Sequence, residues 1–478
     1  MKRVVLSIAV AVWVLVTVLS AIGCAHVTYE EEYQLHGGRK AIIILPGLLA
    51  SGLYDEETGD ALWDPVQSDN VDLLEFMGVY DETHKNVTVE AMMPEIWDLM
   101  DYFDAVMQDV VEDDGSFDPN NIMRRIMCDD KGDAPAHVVG VPVGYEGHLQ
   151  YGALNSYKWW AEGLEELYGD EYEVVVFNYN WLTDTRYAAR DFQAFMRENN
   201  YTDTILIGHS MGGIVATEYM AMGAENRARV DKFIAVAVPF YGSYMATDVF
   251  ENPLSYLELI NYMLDTNVPA EEGMMGTVIE SVVAQLKGGI NDLFYGLIMP
   301  FLYNMKSVYQ LLPSGELMTL QASVEGEGSW QDGQRVRSDG VFEWYSSRPF
   351  VTDTPLATAA EAKDRAMRAI FRDWQEYRDG FYVDKAEGKV FACDLVDTYY
   401  VVGTGVTTDV GISIDGETRR MHSNKQGDGT VPLLSATRGR PLSDSHVYAV
   451  EGMTHIPMGT LWDGGQKAAV LEILGGNK

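Results

Sequence analysis

The run ILIGHSMGGIVATEY, residues 205–219, decides the fold. An uncharged apolar stretch, typical of a buried strand, leads into Gly-x-Ser-x-Gly, and a stretch of helical character follows. A serine on so tight a strand-to-helix turn adopts strained backbone angles, so Gly208 and Gly212 leave room where a Cβ would collide. The Ser210 hydroxyl should then stand free at a helix N-terminus, where developing negative charge is stabilised.

Strands and helices alternate on both sides of this motif. Helices are predicted from a cap at Ser156 to Leu167, and then over 185–199, 211–222, 359–377 and 461–474. The predicted strands are 41–47, 172–179, 204–207, 232–239, 397–403 and 446–450. Such alternation indicates βαβ units and a parallel sheet with right-handed crossovers. With the serine motif, it predicts an α/β-hydrolase: a mostly parallel central sheet flanked by helices, plus a helical cap.

The alternation stops near Tyr244, and residues 245–345 are apolar, Met-rich and helical in period. A transmembrane hairpin is disfavoured, because Glu280, Lys287 and Asp292 interrupt every window of sufficient length. A cap of amphipathic helices over a binding site is the preferred interpretation, since adaptable methionines suit a flexible acyl chain. Plain helical core is the alternative for any single methionine.

The N-terminus has the pattern of an export signal. A basic MKR precedes the uncharged stretch 4–19, and small residues at Ala21 and Gly23 stand before Cys24. This resembles a bacterial lipoprotein signal, although Ala21 is less usual than leucine at its position, and a plain transmembrane anchor is the alternative. We expect an exported protein, held to a bacterial membrane through lipid on Cys24.

The predicted organisation of the 478 residues follows from these patterns. Residues 1–24 are the lipoprotein signal peptide, and 25–40 are a tether. Residues 41–244 form the first part of the hydrolase core, with a candidate lid insertion at about 80–150. Residues 245–345 form the cap, and 346–478 complete the core.

Composition excludes some partners. With 72 acidic and 34 basic residues the formal net charge is −38, and such a surface repels phosphate backbones, so no nucleic acid is expected. Electrostatic docking to anionic membranes is disfavoured for the same reason. The acidity fits either export or salt adaptation, and the sequence does not separate them.

Cysteine usage points to no metal and no cofactor. After processing only Cys128 and Cys393 remain, which could pair in an oxidising compartment. There is no CxxC and no Cys/His cluster with zinc spacing. The oligomeric state is left open.

A serine nucleophile needs a base and an orienting acid, and in this fold they follow in the order Ser, Asp, His. His446 begins a predicted strand, and His422 lies in a charged stretch interpreted as a solvated turn. His455 follows the last predicted strand and precedes the last helix, where the base belongs. Ser210, with His455 as its base, is therefore the candidate nucleophile.

The candidate acid is Asp428, in GDGTVPLLSA, because it follows a strand and hairpin and precedes the strand leading to the base. Asp394 and Asp397 lie in or beside the preceding strand, and Asp409 and Asp415 are interpreted as turn residues.

Two backbone amides should bind the oxyanion. One belongs to Met211, directly after the nucleophile, and the other to Leu48, in the loop after the first core strand. Losing one such donor typically costs about 100- to 1000-fold in rate.

Several segments together resemble the lecithin:cholesterol acyltransferase family, which includes phospholipid:diacylglycerol acyltransferases and lysosomal phospholipase A. They are ILPGLLASGLYDEETGDALW, VVVFNYNW, ILIGHSMGG, SVYQLLPS, YYVVGTGVTT, GDGTVPLLSA and MTHIPM, in the family's order, over most of residues 41–460. The resemblance implies a hydrolase core with cap and lid, lipid-ester substrates, and a triad of Ser210, Asp428 and His455. Two places depart from the family: Tyr179-Asn180-Trp181-Leu182 lacks the usual charged members, and Leu48 replaces a residue that is polar in some relatives.

Three functions remain open at this point. The first is an acyl hydrolase cleaving phospholipid, glyceride or similar esters. An O-acyltransferase would use the same triad and differ only in the alcohol that accepts the acyl group. A surface lipoprotein that keeps the fold without catalysis is the third.

Overall fold

The computed structural model describes residues 35, 37–63, 122–129, 131–145, 149–247, 299–317, 320, 334–335, 374–415 and 418–475. Four predicted parts of the chain lie wholly or partly outside these residues: the signal peptide with Cys24, most of the tether, the first part of the lid and most of the cap. The domain boundaries drawn from the sequence therefore stay predictions.

Six parallel strands form the central sheet in the order β14-β11-β7-β6-β1-β5. They are β1 Ala41–Leu45, β5 Glu173–Val176, β6 Thr204–His209, β7 Val230–Val236, β11 Asp397–Thr404 and β14 Val447–Glu451. Strands from either side of the predicted cap are neighbours, because β11 pairs with β7. The predicted fold class, a parallel sheet flanked by helices, is confirmed.

Both faces of the sheet are buried, as a parallel sheet requires. All five residues of β1 are buried, and successive side chains alternate between two apolar cores. Ile42 and Ile44 pack in the core that includes Trp160 and Leu164, whereas Ile43 packs in the core that includes Phe192. The unbroken apolar run of β1 is therefore explained by helices that pack on both faces of the sheet.

Eleven α-helices lie within the described residues. They are α1 Ile122–Ile126, α2 Lys158–Tyr168, α3 Thr185–Glu198, α4 Met211–Ala221, α5 Ala224–Ala228, α6 Met299–Asn304, α7 Lys306–Gln310, α8 Trp374–Asp379, α9 Leu433–Ala436, α10 His455–Thr460 and α11 Gly464–Ile473. Helix α4, which follows the serine motif, is buried at residues 211–220 and has no polar face.

Three small sheets lie beside the central one, in the orders β3-β2-β4, β10-β9 and β13-β12-β8. Their strands are β2 Leu53–Asp55, β3 Ala61–Trp63, β4 Val138–Gly140, β8 Gln334–Arg335, β9 Tyr382–Lys385, β10 Gly388–Phe391, β12 Thr408–Asp415 and β13 Thr418–Asn424. Short 3-10 turns occur at Ala153–Asn155 and Ala392–Leu395.

The described end of the predicted cap is attached to the start of α3. Lys306 Nζ lies 2.9 Å from Asp184 Oδ2, and Gln310 Nε2 donates to Asp184 Oδ1 over 2.8 Å. The Thr185 N–H in turn donates to Gln310 Oε1 over 2.9 Å. The SVYQLL segment is thus joined to the core through buried polar contacts.

Some local predictions were wrong. Ser156 does not cap α2, because its hydroxyl donates to Ala153 O in the preceding 3-10 turn, and Tyr157 takes the N-cap position. Asp409, Asp415 and His422 lie in the β12–β13 hairpin and not in turns.

Among the described residues, no helix is long and apolar enough to cross a membrane. No group of three or more His, Cys, Asp or Glu side chains in that part of the chain could hold a metal ion. Cys128 and Cys393 are both buried free thiols, so the pairing left open by the sequence does not occur here.

Candidate active site

Ser210 occupies the tight turn between β6 and α4. Its backbone angles are φ 52° and ψ −126°, a strained conformation for a residue with a Cβ. The flanking glycines permit it: a Cβ on Gly212 would lie 2.1 Å from Leu45 O, and one on Gly208 would lie 2.5 Å from Gly213 Cα. Backbone atoms of β1 and α4 therefore occupy the space that a side chain at either glycine would need.

Ser210, His455 and Asp428 form one hydrogen-bonded row. Ser210 Oγ lies 2.9 Å from His455 Nε2, and His455 Nδ1 lies 2.8 Å from Asp428 Oδ2. All three residues are buried or nearly so, with exposures of 8, 9 and 2%. In this geometry the imidazole can take the hydroxyl proton while the carboxylate faces the opposite ring nitrogen.

The Asp428 carboxylate is held by backbone donors. Its Oδ1 accepts hydrogen bonds from the N–H groups of Thr430, at 2.9 Å, and Val431, at 2.7 Å. Burial by itself would raise the pKa of Asp428, but His455 and these two donors outweigh it and lower the pKa below its usual value. The carboxylate therefore stays ionised beside the imidazole.

Two of the segments that resemble the acyltransferase family, one of which contains Asp428, are joined by hydrogen bonds to the chain that follows β7. Ser243 donates from its hydroxyl to Thr430 O, and Ser435 donates to Gly242 O over 2.7 Å. The Ser243 N–H also donates to Leu311 O over 2.8 Å. The LLPS segment and the GDGTVPLLSA segment thus meet at the chain that follows β7.

Four aromatic side chains hold the loop that carries Leu48. Tyr157 Oη accepts from Gly47 N–H at 2.8 Å, and Tyr179 Oη donates to Pro46 O over 2.7 Å. Farther along the loop, Trp63 Nε1 donates to Leu49 O, and Trp181 Nε1 donates to Ser51 O. Tyr179 and Trp181 belong to the segment that departs from the family pattern.

This loop approaches Ser210 closely. A Cβ built on Gly47 would lie 3.1 Å from Ser210 Cβ, and Met211 follows Ser210 as the first residue of α4. Leu48 is half-buried next to that approach, and Leu49 adopts φ 65°. The assignment of the Leu48 and Met211 amides to an oxyanion hole stays a prediction.

The rejected acids and bases lie away from this row. His446 and Asp397 stand at the start of β14 and β11, the sheet edge opposite Ser210, with His446 Nε2 3.6 Å from Asp397 Oδ1. Asp394 pairs with Arg438 and Arg440 at 2.7 and 2.9 Å.

Sequence reasoning missed two polar residues behind the row. His209 Nδ1 lies 2.7 Å from Tyr157 Oη, and His209 Nε2 lies 3.1 Å from His455 O. His209 could have been noticed as the variable position of the Gly-x-Ser motif. Tyr157 carries no sequence signal, because it precedes a helix remote from the motif.

His209 is neutral in the folded protein. Burial, reinforced by the adjacent His455, lowers its pKa to about 3. In the unfolded chain an imidazole titrates near 6.5. The contribution of the neutral, buried His209 to the free energy of unfolding is therefore fully present above pH ~6.5. It is lost progressively as the pH falls from there toward the pKa of the folded protein.

Replacing His209 by glutamine should flatten this acid dependence. Between pH 7 and pH 5 we expect the wild type to lose about 2 kcal/mol more unfolding free energy than His209→Gln, since the amide does not titrate. Urea unfolding of both proteins at several pH values measures this difference. Equal losses in the two proteins would contradict a neutral His209.

Comparisons with known proteins agree with the fold. A family model described as "PGAP1-like alpha/beta domain" matches residues 172–304. The chain has the α/β-hydrolase fold. No curated protein matches the sequence. The matching model is not that of the lecithin:cholesterol acyltransferase family, so that resemblance stays a prediction from the motifs.

Similar solved structures include a Tle4–Tli4 complex, at 12% identity over 91% of this chain and 98% of that chain, with a TM-score of 0.42. Bacillus licheniformis lipase BlEst2 in mature form is 12% identical over 70% of this chain and 96% of that chain, with a TM-score of 0.31. The hydrolase olei00960 from Oleispira antarctica is 13% identical over 68% and 87%, with a TM-score of 0.28.

Proposed function

We propose that this protein is a serine acyl hydrolase that cleaves lipid esters through an acyl-enzyme. The observation that carries the proposal is the row of hydrogen bonds from Ser210 Oγ through the His455 ring to Asp428. A lone serine hydroxyl is a weak nucleophile, and a base in contact with it, oriented by an ionised acid, is what activates it.

In the proposed reaction Ser210 Oγ attacks the ester carbonyl carbon while His455 Nε2 takes the hydroxyl proton. The amides of Leu48 and Met211 stabilise the resulting oxyanion. The carbon–oxygen bond to the leaving alcohol then breaks, and His455 returns the proton to that alcohol. Water, deprotonated by His455, attacks the acyl-enzyme and releases the carboxylic acid and the Ser210 hydroxyl.

Lipid esters are the proposed substrates for two reasons. Apolar side chains next to site residues in the sequence are exposed: Leu49, two residues after Gly47, is 40% exposed, and Ile456, directly after His455, is 39% exposed. The motif resemblance to lipid acyltransferases and phospholipases points to the same substrates. That resemblance also favours a second candidate, an O-acyltransferase that passes the acyl group from Ser210 to an alcohol.

Ser210→Ala should abolish the chemistry while leaving the fold intact. For residues that act as a unit, we expect turnover of a p-nitrophenyl ester to fall by roughly a million-fold. Covalent labelling of the protein by a fluorophosphonate probe should also be lost. The matched control is Ser423→Ala, which changes an exposed serine of β13 and should label like the wild type. Equal labelling of Ser210→Ala would refute the proposal.

A panel of esters tests the substrate class. With p-nitrophenyl esters from butyrate to palmitate in mixed micelles, we expect kcat/KM to rise with chain length, because longer chains bury more apolar surface. Phosphatidylcholine vesicles with and without a long-chain alcohol separate hydrolysis, which gives free fatty acid, from transfer, which gives an alkyl ester. A preference for short, soluble esters would reject lipid substrates and keep the serine hydrolase.

We also propose that the protein is exported and anchored through lipid on Cys24. The supporting observation is the N-terminal pattern of basic residues, apolar stretch and small residues before that cysteine. Expressed in bacteria with labelled palmitate, the wild type should carry the label in the membrane fraction, and Cys24→Ala should not. Cys128→Ala, which removes a buried thiol, should keep it. Label retained by Cys24→Ala would exclude this anchor.

A further inference from the structure

A second row of hydrogen bonds runs behind the first. It begins at the Gly47 N–H, passes through Tyr157 Oη and the His209 ring, and ends at the backbone carbonyl of His455. The three contacts measure 2.8, 2.7 and 3.1 Å. Tyr157 is 1% exposed and His209 is 6% exposed, so water does not compete for these groups.

The chemistry of the groups fixes the direction of each bond. The His455 carbonyl can only accept, so His209 Nε2 must carry a hydrogen and donate it. A neutral imidazole then has a bare Nδ1, which accepts the hydroxyl hydrogen of Tyr157. The Tyr157 oxygen keeps a lone pair for the Gly47 N–H. Every polar atom of the row is satisfied in this single arrangement.

The row joins the loop that carries Leu48 to His455, and the proposed reaction needs these two parts in a constant relative position. Gly47 precedes Leu48 in the loop whose amide should face the oxyanion. Both backbone polar groups of His455 are hydrogen-bonded, since its N–H donates to Asp428 O over 2.9 Å and its carbonyl accepts from His209. His209 is itself bonded to Ser210 through the chain. Nucleophile, base and oxyanion loop therefore share one internal connection.

Helix α10 packs directly against the His209 ring. A Cβ on Gly459, in α10, would lie 2.3 Å from the His209 ring, so that helix rests its backbone directly on the imidazole. The rings of His209 and His455 lie 5.1 Å apart between centroids. A displaced His209 would thus move the helix that begins with His455.

We propose that Tyr157 and His209 are positioning residues that couple the oxyanion loop to the catalytic base. The inference rests on the proposed function, because it assigns the two residues a part in the turnover of that site. They touch neither the substrate nor the reacting atoms; they keep the Leu48 amide and the His455 ring in one relative placement.

A double-mutant cycle tests the coupling. Tyr157→Phe removes the hydroxyl alone, and His209→Gln keeps an amide N–H for the His455 carbonyl but loses the ring nitrogen that accepts from Tyr157. Each should lower kcat for p-nitrophenyl butyrate by about 10- to 100-fold with KM nearly unchanged, since displacing an oxyanion donor costs less than removing it. The double variant should be only slightly slower than either single variant, because both break the same link.

Tyr179→Phe is the matched control. Its hydroxyl also holds the loop, through Pro46 O, but the bond does not lead to His209. Combined with His209→Gln, its effect on kcat should multiply with the effect of His209→Gln. If the effects of Tyr157→Phe and His209→Gln multiply in the same way, or if either leaves kcat unchanged, the coupling is refuted.

A spectroscopic measurement separates this inference from the proposed function. In Ser210→Ala protein with ¹⁵N-labelled histidine, His209 should show a protected Nε2–H and a bare Nδ1 at pH 5, and Tyr157→Phe should shift the Nδ1 resonance. A doubly protonated ring, or hydrogen on Nδ1, overturns the inference. If the wild type neither hydrolyses esters nor reacts with the fluorophosphonate, the proposed function fails whatever this spectrum shows.

Discussion

The close approach of two backbone segments beside Ser210, the start of α4 and the end of β1, is the constraint on which the site depends. The start of α4 packs against the last carbonyls of β1, and only glycine at position 212 lets them meet, since a Cβ there would lie 2.1 Å from Leu45 O. Ser210, two residues before this contact, adopts φ 52°, and its hydroxyl lies 2.9 Å from His455 Nε2. Strain at one residue is maintained by packing of the whole helix, which is buried along residues 211–220.

The parallel sheet then decides which distant residues can reach that hydroxyl. In a parallel sheet the carboxyl ends of all strands lie at one edge, and the loops that follow them converge there. Asp428 follows the hairpin after β11, and His455 follows β14. Both therefore lie at the carboxyl end of the sheet, where Ser210 follows β6. His446 and Asp397 lie where β14 and β11 begin, so they stand at the amino end of the sheet, away from Ser210.

Much of this could be predicted from the chain, and the misses have local causes. The strand of residues 41–45 is predicted by its unbroken apolar run, and the helix after Ser210 by its mostly apolar sequence; both patterns indicate burial. Asp409 and Asp415 were wrongly assigned to turns because aspartate and glycine, frequent in this segment, favour turns, whereas both residues pair across the β12–β13 hairpin. Ser156 looked like a helix cap because its hydroxyl can serve either neighbour, and here the preceding turn takes it.

The sequence by itself determined the fold class and singled out Ser210, Asp428 and His455, which the structure joins by hydrogen bonds. Periodicity and motif spacing are local properties, so the sequence alone carries them. It did not determine the row from Gly47 through Tyr157 and His209 to His455, in which the bonded residues lie 52 to 246 positions apart. That row exists only when the loop after β1, the end of β6 and the starts of α2 and α10 are packed to within hydrogen-bond distance. No single segment records such a distance, and for that reason only the tertiary structure decided it.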